Sequence, residues 1–367
     1  MRYIGNKTKL LGFIDGVMET VGIHSGTFCD IFAGTASVAR YMKSKGFQVI
    51  CGDIMRYSYI LQWAYVVVNQ YPRFAGLPPE VGVMGHAGSG NPQGPLRKVI
   101  SFLNEQVDGA DGFIYRNYCP GGSRDGRLYF TDENGRRIDA VRSILENWRR
   151  QGRLANDEYY LLLASLLESV DAVANISGVY CSFLKELQPN AVRRLRLRPS
   201  VLVTENPQRH EAHLRDANEL ILQIRCDILY LDPPYNPRQY AGNYHLLESI
   251  AEGWSQEEPK IYGKTGMRPY QNQRSVYCSR REGHRALVDL VEKARERAGC
   301  THLLLSYNDE GIISQQEIQE ILCAAGRSRT YRRFERAYKR FRSDADGPKR
   351  KYRADGVTER LYYVRLR

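Results

Sequence analysis

An aspartate, two prolines and a tyrosine stand together at 232–235, directly behind the apolar run CDILYLD (226–232). A carboxylate next to a rigid backbone suits one difficult substrate, the exocyclic amine of adenine. That nitrogen is a poor nucleophile because its lone pair is delocalised into the ring. Two hydrogen-bond acceptors that take its protons favour a pyramidal nitrogen whose lone pair faces an incoming methyl carbon. Asp232 supplies its carboxylate and Pro233 its main-chain carbonyl, while Pro233 and Pro234 fix the backbone that aims them. Tyr235 offers a flat face for a base turned out of a duplex, a stack worth about 1–3 kcal/mol. The displacement is in-line and needs no metal. Asp and Pro are also common turn residues, so an ordinary turn is the plainer reading of the same tetrapeptide.

A second constellation runs from Asp30 through Phe32, Ala33, Gly34, Thr35 and Ala36 to Ser37. A glycine turn between a strand and a helix lets a nucleotide-like ligand approach the backbone. Asp53, closing the next apolar run, is the acid expected to meet ribose hydroxyls, as in dinucleotide folds. Neither a three-glycine fingerprint nor a Gly-Lys-Ser/Thr loop is present, which argues against a phosphate site here. His210 and His213 are three apart, and we read them as packing or surface residues; no metal site is expected. The eight cysteines are scattered without paired metal-ligand spacing and read as reduced thiols.

The elements that must carry these residues follow from hydrophobic period. TFCDI (27–31) and FQVICGDI (47–54) read as buried strands flanking a helix through Val38, Ala39 and Met42, which makes a βαβ unit and a parallel sheet. Buried-strand patterns return at SVLVTE (200–205), at 226–232 and at THLLLSYN (301–308), with an amphipathic helix over 284–298 before the last. Alternation over 329–342 and 358–367 predicts an antiparallel hairpin at the sheet edge. Between the two halves, residues 75–95 read as a Gly/Pro-rich loop. RLYFTDENGRRID (127–139) reads as a hairpin turning on Asn134-Gly135, and helices are expected over 139–150 and 158–175. The fold class is therefore α/β, a mixed Rossmann-like sheet formed by residues 1–55 and 200–367, with a mainly helical insertion at 56–199.

The chain of 367 residues carries 53 Lys and Arg against 41 Asp and Glu, a formal charge of +12 that suits a polyanionic partner such as nucleic acid. Arg193, Arg194, Arg196 and Arg198 form one basic run. A second, over 327–353, interleaves Lys and Arg with Tyr331, Phe334, Tyr338, Phe341 and Tyr352. Both suit phosphate tracking; for any single arginine, a solvated face is the plainer reading. MRYIGNKTKLL lacks the apolar stretch of a signal peptide and no run is long enough to span a bilayer, so a cytoplasmic location is expected.

Taken in order, these motifs resemble the Dam-like, alpha-group DNA adenine methyltransferases. The resemblance implies S-adenosylmethionine as methyl donor, and double-stranded DNA as substrate with the target adenine flipped out. Arg2-Tyr3-Ile4-Gly5-Asn6-Lys7 resembles the family's N-terminal motif, which implies that Tyr3 and Lys7 approach the cofactor's methionine end. Asp30, Phe32 and Gly34 match its glycine-turn motif, with Ala36 standing where a second glycine is usual. Asp53 matches its ribose-binding acid. Arg215-Asp216-Ala217 resembles the adenine-binding motif, which implies that Asp216 and Ala217 meet the cofactor's base. The insertion corresponds to the target-recognition region, and its placement before the catalytic motif marks the alpha group. Asn175 to Tyr180 (NISGVY) and Asn243-Tyr244-His245 are similar to segments of type II modification enzymes, which implies a possible partner endonuclease cutting the same site. Methylation of structured RNA, or DNA binding without catalysis on the same fold, are the alternatives.

Overall fold

The computed structural model describes residues 1–83, 91–339 and 356–366. Seven strands form one sheet: β1 (Thr27–Asp30), β2 (Gln48–Asp53), β3 (Glu211–Leu214), β4 (Ile228–Leu231), β5 (His302–Asn308), β6 (Arg332–Lys339) and β7 (Gly356–Arg365), in the order β3-β2-β1-β4-β5-β7-β6. Pairs among β1 to β5 are parallel, whereas β7 runs antiparallel to both β5 and β6. The mixed sheet with its C-terminal hairpin is the α/β fold expected from the alternation. Every residue of β4 is buried, as a central parallel strand requires. Phe28 of β1 stacks on Tyr230 of β4 with ring centroids 5.9 Å apart.

The described chain divides into two compact units. One comprises residues 4–62, 205–240 and 272–367 and contains the sheet. Its core packs Leu229, Leu231, Leu303 and Leu305 of the sheet against Leu287, Leu290 and Val291 of the helix Arg280–Lys293, and against Ile318 and Leu322 of the helix Gln315–Ala325. The other unit comprises residues 1–3, 63–204 and 241–271. It is built on the helices Asp132–Arg150 and Asn156–Val173, with shorter ones at Gly94–Glu105, Phe113–Tyr118 and His245–Glu252. Contacts thus group 241–271 with the helical unit, a segment that local pattern alone assigns to the sheet. Among the described residues no helix is long and apolar enough to cross a membrane.

Two expected elements are absent. The hairpin at 127–139 is instead the start of the helix Asp132–Arg150. Thr131 Oγ1 accepts a hydrogen bond from Asn134 N at 3.2 Å, and Asp132 and Glu133 place negative charge in the first turn. Asn134 is not a turn residue here. Its buried amide donates to the carbonyls of Ala191 (3.1 Å) and Arg193 (2.8 Å) and accepts from Leu195 N (2.7 Å). The capping signal Thr-Asp-Glu therefore outweighs Asn-Gly. Residues 200–205 form no strand, because side chains satisfy their backbone: Leu202 N donates to Tyr71 Oη at 3.0 Å and Gln93 Nε2 donates to Ser200 O at 3.0 Å. The sheet position falls to β3, whose Glu-Ala-His-Leu is half-buried throughout and carries no apolar run.

If Thr131 starts this helix, Thr131→Ala should lower unfolding free energy by about 1 kcal/mol in a denaturant titration. A hairpin in its place would leave stability unchanged.

Candidate active site

The carboxyl ends of four parallel strands bring four carboxylates to one edge of the sheet. Asp30 closes β1, Asp53 closes β2, Asp216 lies just beyond β3 and Asp232 immediately follows β4. Register aligns Asp30 with Tyr230 and Cys51, and Asp53 with Leu214. Strand order reverses between β1 and β4, and the crevice outside such a switch point is where open α/β sheets take ligands.

Asp232 is braced by Lys7. The Lys7 ammonium lies 3.1 Å from Asp232 Oδ1 and 2.8 Å from Glu359 Oε1 on β7. Ser306 Oγ of β5 donates to the same Glu359 oxygen at 2.6 Å. Lys7 and Glu359 are each only 2% exposed. Burial lowers the pKa of Lys7, but the charges of Asp232 and Glu359 outweigh it and hold the ammonium well above its ordinary pKa. For Asp232, burial raises the pKa, Lys7 opposes and Glu359 adds; the carboxyl is pushed up to about 7. Glu359 Oε2 and Asp30 Oδ1 are buried in this unit without a hydrogen-bond partner.

The rest of the tetrapeptide is held by its neighbours. Pro233 is buried and Pro234 half-buried. The half-buried Tyr235 ring meets Tyr307 edge-on at 6.2 Å and 77°, its centroid lies 6.0 Å from Lys7 Nζ, and its carbonyl accepts from Ile312 N at 3.0 Å. Gly5 has φ +78°, and a Cβ there would reach 3.4 Å from Tyr240 Oη and 4.0 Å from the Tyr235 ring. Tyr240 Oη in turn donates to Ile4 O at 3.3 Å. The N-terminal motif and the segment after β4 are thus packed together.

In the glycine turn, Gly34 (φ +51°) and Ala36 (φ +58°) both adopt left-handed backbone. Ala36 therefore sits where glycine is unstrained, and the turn keeps its shape with a methyl group there. Asp53 Oδ2 accepts from Gly34 N and Oδ1 from Met55 N, each at 2.9 Å, so this acid anchors the turn. Burial raises the pKa of Asp53, opposed by those two N–H groups. Asp30 is raised well above the carboxylate range by burial and then by the charge of Asp232. Phe32 packs edge-on against Tyr277 at 5.0 Å. Asp216 caps the short helix Ala217–Leu220, accepting from Asn218 N at 2.8 Å, and Ala217 is buried in the core.

Tyr3 belongs to the helical unit, where it stacks on Tyr244 at 4.6 Å. There the two segments noted in the sequence meet: Tyr180 N donates to Asn243 O at 2.6 Å, and His245 Nε2 lies 2.8 Å from Tyr180 O. His210 accepts from Val49 N at 3.1 Å, and burial lowers its pKa to about 4; it is a packing residue. All eight cysteines are free thiols.

Arg193, Arg194, Arg196 and Arg198 are exposed, alternating with buried Leu195 and Leu197; Arg194 lies 3.5 Å from Glu133 and Arg196 2.9 Å from Glu105. In the second basic run, Tyr331 and Phe334 are half-buried and Tyr338 lies on β6, whereas Phe341 and Tyr352 fall outside the described residues. Sequence reasoning missed two features. Glu359 is a buried acid on β7, next to the apolar run Leu361 to Val364. The other is an open cleft of about 360 Å³ lined by Arg280, Arg281, His284, Arg285 and Glu317. Its signal, RREGHR, opens a helix whose apolar face draws attention first.

The profile of the D12 class N6 adenine-specific DNA methyltransferases matches residues 3–321. The type II methyltransferase M.NlaIII of Neisseria lactamica is 39% identical, with 99% of each chain aligned. M.FokI of Planomicrobium okeanokoites is 37% identical over 99% of this chain and 52% of its own, and the modification methylase StsI of Streptococcus sanguinis is 35% identical over 88% and 46%. The chain thus spans about half the length of the latter two and nearly all of the first. No solved structure matches.

Proposed function

Because the chain belongs to the D12 class N6 adenine-specific DNA methyltransferase family, we propose that it transfers a methyl group from S-adenosylmethionine to N6 of adenine, at a specific sequence in double-stranded DNA. The observation that carries this reading is Asp232, held by a buried ammonium at the carboxyl end of β4, beside the switch point of the sheet. Asp232 Oδ and Pro233 O accept the two amine protons and turn the nitrogen lone pair outward. Tyr235 stacks on the flipped base. Lys7 keeps Asp232 aimed and favours its charged form.

The residues present suit a cationic, nucleoside-bearing donor. The buried, unpartnered Asp30 Oδ1 calls for a hydrogen-bond donor, and a carboxylate-lined edge with few cations favours a sulfonium. Asp30, Phe32 and Gly34 form the turn against it, Asp53 serves its ribose, Asp216 and Ala217 its base, and Lys7 its methionine end, the role the N-terminal motif also implies for Tyr3. When bound, the cofactor supplies an electrophilic methyl carbon. The transferred group replaces an amine proton, which passes eventually to water.

In this reading the catalytic domain spans 1–55 and 200–367, and the insertion at 56–199 reads the target; contact grouping differs in placing 1–3 and 241–271 with the helical unit. Arg280, Arg281 and Arg285 provide a surface for DNA phosphates on the catalytic side, and the exposed arginines at 193–198 provide another in the insertion. A restriction endonuclease specific for the same site is the partner this reading implies. The RNA and non-catalytic readings find no support among the relatives.

Duplex DNA incubated with the enzyme and labelled cofactor should acquire label on adenine, and Asp232→Ala should abolish it. Because protonated Asp232 no longer accepts from the amine, kcat/KM for the wild type should fall as pH drops through about 7. A flat profile between pH 6 and 8 would contradict the acceptor role. Replacing both Arg280 and Arg285 with glutamate should weaken duplex binding and reduce the slope of log K against log salt by about 2. An unaltered slope would remove that surface from the DNA interface.

A further inference from the structure

Lys7 serves two carboxylates, and only one of them belongs to the tetrapeptide. We infer that Glu359 is a positioning residue for methyl transfer, acting through the Lys7 ammonium to fix where Asp232 points and how readily it carries charge. This rests on the adenine methyltransferase reading of the same site.

The geometry is specific. Glu359 Oε1 takes one hydrogen bond from Lys7 Nζ at 2.8 Å and one from Ser306 Oγ at 2.6 Å. Ser306 and Glu359 sit on neighbouring antiparallel strands, β5 and β7, so a rigid part of the sheet sets the position of the ammonium. From there Lys7 Nζ reaches Asp232 Oδ1 at 3.1 Å. Lys7 is thus pinned on one side by a carboxylate that does no chemistry and presents its charge on the other to one that does.

Stability alone does not explain the arrangement. A buried ion pair is a poor way to hold a fold, because a well-packed apolar substitute is often neutral or better. Here two carboxylates share one ammonium, leaving a surplus negative charge that makes matters worse. Glu359 Oε2 is also buried without a partner, a further cost. The surplus has one clear effect on the site: the charge of Glu359 repels that of Asp232 and claims part of the ammonium that would otherwise serve Asp232 alone. Among the described residues, the other groups facing the cluster are Tyr230 and Asp30, from β4 and β1, and the Tyr235 ring. None of them is a second cation.

The test is a titration of the ligand-free protein by the carboxyl ¹³C resonance of Asp232, assigned by its loss in Asp232→Asn. In Glu359→Gln the repulsion disappears and Lys7 serves Asp232 alone, so the midpoint should fall by about one pH unit from the wild-type value. The acid limb of kcat/KM should move with it. Glu359→Asp retains the charge but draws it back from Lys7, so its midpoint should fall by less; this variant decides the matter if Glu359→Gln does not fold. A midpoint unchanged in a folded variant of either kind would overturn the proposal and leave Glu359 a structural residue. Absence of adenine methylation by the wild type would instead overturn the functional reading, and this titration does not depend on that activity.

Discussion

A single buried ammonium ties together the N-terminal segment, the carboxyl end of β4 and β7. Lys7 lies where solvent cannot screen it, and it stays charged because Asp232 and Glu359 are within 3.1 Å and 2.8 Å. Removing one partner of a buried charge pair typically costs about 3–5 kcal/mol, since the other is left uncompensated. The three groups are therefore mutually dependent. They also come from the N-terminal motif, the end of β4 and the C-terminal hairpin, so the sheet must be complete before Asp232 has its surroundings.

The sheet supports that arrangement in a simple way. Four parallel strands end together, and each ends in or near an acid: Asp30, Asp53, Asp216 and Asp232. Burial raises the pKa of both Asp30 and Asp232; the charge of Asp232 adds to it at Asp30, and at Asp232 Lys7 opposes while Glu359 adds. An edge of this kind is costly without a cation. Lys7 provides one from the protein, and a sulfonium cofactor is suited to provide another. In the proposed function the acidic edge and the basic surface of Arg280, Arg281 and Arg285 have different tasks, the first toward a cationic donor and the second toward phosphate.

Much of this was legible in the residues. CDILYLDPPY announces a buried strand that delivers an acid, and TFCDI and FQVICGDI do so again, because a central parallel strand leaves an unbroken apolar run. β3 was not legible, since an edge strand of half-buried Glu-Ala-His-Leu has no such run, and SVLVTE looked better than it while its backbone bonds went to Tyr71 and Gln93. Asn134-Gly135 misled in the same local way. Turn propensity counts only when the neighbours agree, and Thr131, Asp132 and Glu133 announce a helix. The Lys7–Glu359 contact spans 352 residues of chain, a separation at which no periodicity carries information. Lys7 stood out through its motif, but its second partner was visible only once β5 and β7 were paired.

A braced carboxylate that makes adenine's amine reactive at one DNA sequence would leave a methyl mark there. That mark is tested for most directly by modification-sensitive sequencing of DNA from cells expressing the wild-type chain. N6-methyladenine is expected at every copy of a single short motif. Methyl groups on cytosine instead, or genomic adenines left unmodified, would contradict it.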